Sequence, residues 1–265
     1  MERQVHLRHI ENEKDHWWFC SRRKIIDHLI KLHFTNKEKN IEILDFGAGS
    51  GTNTSMLNKY GNVDVYEQDS LALTHLKNKF QDHPKIKIIK KLEKVNFYDL
   101  IIAADVIEHI EDDKFTIDQL LSSLKKEGKI LVTVPAYQFL FSSKDVSSHH
   151  FRRYTRTSLN KLFENNCKII KSSYFNFFLF LPLCLSILVM KFLNIKFVDK
   201  VEKTPNFFIN KFLYFIFSSE SIFLKFIDFP FGISIFTFCK KKIKSLKGYL
   251  KKYFHVIFVT CKIMN

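Results

Sequence analysis

The sequence predicts an α/β fold: a doubly wound, mostly parallel seven-stranded sheet with a hydrophobic helical insertion between its sixth and seventh strands. Three observations point there. The apolar run Ile41 to Phe46 passes through an acid into three glycines, reading IEILDFGAGSG. Strand and helix patterns then alternate at crossover spacing, which builds a parallel sheet whose ligands gather at the carboxyl ends of its strands. Composition also changes along the chain. Residues 1–150 hold 22 Lys/Arg and 22 Asp/Glu of the 42 and 27 in all, leaving 20 and 5 for residues 151–265, where 21 of the 29 phenylalanines also fall. A segment both greasy and basic suits an anionic membrane surface.

The chain divides accordingly into an N-terminal helical lid (1–40), a main domain (41–239) with the insertion at 174–228, and a basic amphipathic tail (240–265). A helix is expected over 12–34, with Trp18, Ile25, Ile26, Leu29, Ile30 and Leu32 on one face and Arg22, Arg23 and Lys24 facing elsewhere. Its Trp17–Trp18 pair, flanked by His16 and Arg22, fits a lid over a ligand or a helix packed on the sheet.

Ile41 to Phe46 reads as the first strand. Gly47, Gly49 and Gly51 permit the backbone angles and close approaches of a ligand-binding turn. Their spacing, with Thr52 after them, departs from G-x-G-x-x-G and disfavours a plain nicotinamide site. A helix over 52–59 and a strand over 63–66 lead to Glu67, whose carboxylate can take both hydroxyls of a ribose; Asp69 is a weaker candidate. A helix over Ser70–Phe80 and strands at Ile86–Ile89 and Tyr98–Ala104 follow. The fourth strand ends in DVIEHI, which brings Asp105, Glu108 and His109 to the same edge in a spacing typical of no metal-ligand set, so no metal is expected. The acidic turn 111–113, a helix over 115–126 stopped by Gly128, and a strand over 129–134 complete this half.

These residues together resemble the class I S-adenosylmethionine-dependent methyltransferases, which are Rossmann-like. The resemblance runs from about residue 12 to 239 and rests on Asp45, Gly47, Gly49 and Gly51 of DFGAGSG, Glu67, FYDLIIAADVIEHI and the ILVTVP strand. It implies S-adenosyl-L-methionine as cofactor, with the glycine loop at its methionine end, Glu67 on the ribose and the loop at Leu92 near the adenine, and with Asp45 and Asp105 also among the cofactor-binding residues. KKLEKVN lacks the acid often found after the third strand. More particularly, the chain is similar to a bacterial and archaeal subgroup with E-x-x-HWWF-x-x-RR and D-x-x-x-x-HxRRYT motifs. The first stands in part, as HWWFCSRR with Asp15 beside it. The second stands as Asp145, His150, Arg152, Arg153, Tyr154 and Thr155, where Thr155 or Thr157 also caps the next helix.

A sulfonium methyl is already electrophilic, so the protein must mainly align the acceptor and exclude water. A hydroxyl acceptor needs a base, for which His150 comes first and His109 and His149 follow. Trp17, Arg152, Arg153 and Tyr154 are the acceptor-binding candidates, although the arginines could instead pair with Asp145. The expected activity is methyl transfer, as O-methylation, to a small or lipid-linked acceptor: quinone-like, lipid or glycan precursor. An RNA methyltransferase and a non-catalytic cofactor-binding homologue are the competing classes. Strand four lacks the Asn/Asp-Pro-Pro-aromatic signature of base methylation, so nucleic acid is not an expected partner.

Tyr174 to Met190 carries no charge over 17 residues, at the lower limit for a membrane span. Because Phe231 to Cys239 must return to the sheet after a strand at 167–173, an interfacial hairpin with a second arm at 207–217 fits better. In the tail, Ile243, Leu246, Leu250 and Phe254 alternate with lysines at helical spacing. The first 19 residues lack an apolar core and the five cysteines are widely spaced. A cytoplasmic protein with reduced thiols, peripheral on the inner membrane face, is expected.

Overall fold

The computed structural model describes residues 11–34, 40–193 and 204–242. The proposed basic helix of the tail, from Ile243 onward, lies outside them. Helix α1 (Trp17–His33) precedes β1 (Ile41–Phe46), α2 (Thr52–Leu57), β2 (Gly61–Tyr66), α3 (Ser70–Phe80), β3 (Ile86–Ile89) and β4 (Tyr98–Ala104). Then come α4 (Asp113–Ser123), β5 (Leu124–Pro135), α5 (Ser143–Ser147), α6 (Arg156–Lys161), β6 (Cys167–Phe175), α7 (Phe180–Phe192), α8 (Phe207–Phe223) and β7 (Ser234–Lys241). The seven strands stand in the order β3-β2-β1-β4-β5-β7-β6. All pairs are parallel except those of β7, which runs antiparallel to both β5 and β6.

The order reverses direction between β1 and β4, so the crevice of a doubly wound sheet opens where these neighbours end. Ile43, Leu44, Leu100, Ile101, Ile102, Leu131 and Val132 are fully buried on the central strands. Such runs without alternation are what a strand covered on both faces requires.

Several element boundaries differ from expectation, and three of them have a local cause. Helix α1 starts at Trp17 instead of residue 12, because the His16 side chain accepts the Trp18 amide and residues 13–15 form a turn before it. Helix α4 starts at Asp113, because Asp112 accepts the Phe115 amide, and it gives way at Leu124. Leu124 pairs with Tyr98, so β5 begins five residues earlier than Lys129. Thr155 caps α6 through the Ser158 amide, as expected. Cys20, Cys167, Cys184 and Cys239 are free thiols.

The insertion forms two helices, α7 and α8. Helix α7 has no buried residue, and among the described residues no helix is long and apolar enough to cross a membrane. Helix α8 is anchored by Phe217, which meets Trp17, Trp18 and Phe175 with ring centroids 5.6–6.1 Å apart. Glu220, buried beside it, accepts the amides of Asn176 and Phe178 at 2.7 and 3.0 Å. Phe217→Ala is therefore expected to cost about 3–5 kcal/mol, as truncation of a fully buried aromatic does, read as a lowered urea midpoint.

Candidate active site

The glycine turn follows directly from β1. Gly47, Gly49 and Gly51 all have positive φ, of 71°, 56° and 73°. Their surroundings differ. A side chain on Gly47 would strike Val106 at 2.4 Å, and one on Gly51 would strike Leu76 and Phe80 at 2.6 Å. At Gly49 the only neighbour is Glu13 Oε1, at 3.5 Å, so this glycine alone presents open backbone to a ligand. That cradle fits the methionine end of a nucleoside donor.

Carboxylates surround it. Asp45 is buried under the loop and accepts the Thr54 hydroxyl at 2.6 Å. Burial pushes its pKa to about 7, helped by the charges of Glu13 and Glu67 and opposed by the Thr54 hydrogen bond. Glu67, at the tip of β2, accepts the amides of Gly49 at 2.8 Å, Gln68 at 2.7 Å and Asp69 at 2.9 Å. Asp69 itself caps α3, through the amides of Leu71 and Ala72. Leu92 is half-buried against the core beyond β3. Asp105, at the end of β4, takes a left-handed φ of 56°, accepts the Thr133 hydroxyl at 2.7 Å and is paired with Arg22.

Arg22 corrects the sequence reading, which placed it away from the packed face of its helix. The side chain is buried because α1 crosses the end of β4 and Asp105 needs a partner there. Trp17 is likewise buried against Phe217, so it anchors the insertion and is not an open lid surface. Glu13 was missed altogether. It stands three residues before His16, where the E-x-x-HWWF pattern has its acid, whereas Asp15 does not. Its carboxylate accepts the hydroxyls of Ser50 and, at 2.8 Å, Thr52. The signal was in the spacing.

A second cluster adjoins this edge. Asp145 accepts Nδ1–H of His150 at 2.8 Å and two nitrogens of Arg153 at 2.8 and 2.9 Å. Burial raises its pKa, but these hydrogen bonds and the Arg153 charge outweigh that and hold it well below the usual carboxylate range. An ionised carboxylate only accepts, so Nδ1 of His150 is the donor and Nε2 is the ring nitrogen turned away from Asp145. The ring meets His109 edge-on, with centroids 4.4 Å apart. Burial, then the neighbouring His150, lowers the His109 pKa to about 4, so His109 is neutral at pH 7. His149 has φ 58° and an exposed side chain, and its turn directs His150 inward.

Three expected acceptor ligands are engaged elsewhere. Arg153 is buried on Asp145, Arg152 pairs with Asp113 at 3.0 Å, and the Tyr154 hydroxyl donates to Asp113 at 2.8 Å. The sequence had left pairing with Asp145 open for the arginines, and Arg153 takes it. These side chains brace the HFRRYT segment against the end of β4, where the Phe151 amide also donates to the Glu108 carbonyl.

Glu108 has an unusual place. One donor atom each from Glu108, His109 and His150 lies within 4.8 Å of the others, a grouping that replaces the Asp105, Glu108 and His109 set seen in sequence. The Glu108 carboxyl is fully buried and neither oxygen finds a hydrogen-bond partner among the described residues. Burial, then the Asp105 charge, raises its pKa well above 4.5. The folded protein thus keeps a proton that the unfolded chain releases, so this residue erodes stability as pH rises from about 4.5 toward its raised folded value. Glu108→Gln is expected to flatten the fall in melting temperature between about pH 5 and 7. Asp45 and Glu220, each raised to about 7 chiefly by burial, supply the slope that persists.

With this geometry in view, the chain can be compared with known proteins. A family model described as "Methyltransferase domain" matches residues 18–168. A mitochondrial ubiquinone biosynthesis O-methyltransferase of Dictyostelium discoideum is 24% identical over 185 residues, which are 57% of this chain and 58% of the relative. The chain thus spans little more than half the length of that protein. Among solved structures, the methyltransferase in complex with the Haloferax volcanii Trm112 activator shares the fold at a TM-score of 0.57 and 12% identity, covering 91% of this chain and 96% of that one. Phosphoethanolamine N-methyltransferase 2 of Haemonchus contortus, solved with S-adenosyl-L-methionine, superposes with a TM-score of 0.53 at 15% identity, covering 82% of this chain and 52% of that one. The family match extends over more than half of the chain, so this chain belongs to the methyltransferase-domain family.

Proposed function

We propose that the protein methylates an oxygen of an apolar, quinone-like or otherwise lipid-linked acceptor at a membrane surface. The observation that carries the reading is the Asp145–His150 pair, an imidazole whose base nitrogen is fixed by an ionised carboxylate beside the carboxyl edge of β4. The Dictyostelium relative, an O-methyltransferase of ubiquinone biosynthesis, supports the same choice of acceptor chemistry.

When bound, the cofactor supplies an electrophilic methyl group on a sulfonium. The protein's part is to align the acceptor hydroxyl and remove its proton. His150 Nε2 would take that proton as the acceptor oxygen receives the methyl group that the bound cofactor would supply. Asp145 stabilises the resulting imidazolium through Nδ1–H, as a buried carboxylate does for a base in other group transfers. Arg153 keeps Asp145 ionised throughout.

The acceptor class rests on the insertion. Leu181, Leu185, Phe192, Phe207, Phe208 and Phe215 are all exposed, Phe192 by 86% and Phe208 by 81%. Large apolar side chains exposed in this number on two helices mark an interaction site, and such helices suit burial in the outer part of a lipid leaflet. The glycan-precursor, RNA and non-catalytic readings are alternatives for the assay to separate.

Incubation with methyl-labelled cofactor and separated lipid, RNA and protein fractions is expected to label the lipid fraction; label in RNA would overturn the reading. Replacing His150 with Gln is expected to lower kcat about 10²- to 10⁴-fold with cofactor affinity unchanged, as loss of a general base does. Phe208→Ser with Phe215→Ser is expected to weaken sedimentation with anionic vesicles while leaving the urea midpoint in place. Equal sedimentation by this variant and the parent would remove the membrane claim.

A further inference from the structure

The segment from Glu13 to Arg22 crosses the crevice and is fastened on both sides of it. At one end Glu13 holds the hydroxyls of Ser50 and Thr52 on the β1 loop, and at the other Arg22 holds Asp105 beyond β4. Between them Arg23 donates to the Glu13 carbonyl at 3.1 Å, and the His16 ring accepts the Trp18 amide at 3.2 Å. Among the described residues, Glu13 is thus the one side chain over the open face of Gly49.

Two carboxylates, Glu13 and Glu67, meet at that glycine, and Asp45 below the loop feels the charge of both. The cations nearest Glu13 are Arg22, Arg23 and Lys79. Arg22 is consumed by Asp105, and Lys79 donates to the Ser50 carbonyl at 3.0 Å. Arg23 and Lys79 keep their charges beside these acids, so three carboxylates stand against two cations in a desolvated place, and burial raises the Glu13 pKa as it raises that of Asp45. A cation placed there would relieve all three groups at once. The two forms of the cofactor differ in this respect. S-adenosylmethionine carries a sulfonium and an ammonium against one carboxylate, a net positive charge. S-adenosylhomocysteine has lost the methyl and with it the sulfonium charge, and is neutral overall.

We infer that Glu13 is a specificity-determining residue of the cofactor site: its carboxylate over Gly49 favours the cationic donor over the uncharged product, so that transfer of the methyl weakens the hold of the site on what remains. The negative field then drives exchange of product for donor without any change of shape. This inference rests on the glycine turn holding the cofactor, which binding of S-adenosylhomocysteine to the unmodified protein tests separately.

The test is calorimetric titration of the full chain and of Glu13→Gln with S-adenosylmethionine and S-adenosylhomocysteine. Glutamine keeps the shape and an acceptor for Ser50 and Thr52 but removes the charge. The expected result is a loss of about tenfold in affinity for S-adenosylmethionine and of less than about twofold for S-adenosylhomocysteine. Equal losses would reduce Glu13 to a fastener of the segment, and no loss would remove it from the site; either result overturns the inference. A second measurement needs no variant. In the unmodified protein the preference for the donor over the product is expected to shrink as salt is raised from about 20 mM to 500 mM, because screening acts on the net charge difference. A preference independent of salt would count equally against it.

Discussion

Repulsion among acids at one edge of the sheet is the constraint to which the rest of this molecule answers. Glu13, Asp45, Glu67, Asp105 and Glu108 stand where β1, β2 and β4 end, and each is relieved by different means. Glu67 takes three backbone amides. Asp105 takes a guanidinium, and Glu13 takes two hydroxyls. Asp45 and Glu108, buried with one partner and with none, have raised pKa values. Desolvated like charges cannot all ionise, so an edge of this kind stores destabilisation that partners or ligands release. Helix α1 follows from this. Its Ile25, Ile26, Leu29 and Ile30 pay for burial against the sheet, and the position so fixed delivers Arg22 to Asp105.

The parts of the fold legible in sequence were those set by local periodicity. Ser70–Phe80, Ile86–Ile89 and Tyr98–Ala104 stand as read, because apolar spacing and caps within each stretch determine them. The switch point followed from their order. What periodicity cannot carry is a partner far along the chain. Arg22 lies 83 residues from Asp105, so its charge suggested solvent where the fold supplies a carboxylate. The same limit governed HFRRYT. Its polar side chains read as acceptor ligands until Asp113 and Asp145 were seen to take them. Glu13 is a different case: the spacing to His16 is in the sequence, and Asp15, directly before His16, is a competing acid.

The two halves of the chain meet at α1 as well. The Asn210 side chain on α8 accepts the Trp17 amide at 2.9 Å and donates to the Asp15 carbonyl at 2.8 Å, so the insertion caps the very start of the helix that carries Arg22. Phe217 packs on both tryptophans one turn and more beyond. HWWF thus has a physical reading: His16 ends the segment over the glycine turn, and the tryptophans tie it to the insertion. Packed rings and paired hydrogen bonds are the contacts through which two elements can be coupled. A displacement of α8 would pull on the turn that seats Glu13, through Asn210 and Asp15. The exposed apolar face of α8 and the glycine turn therefore share one support, the start of α1.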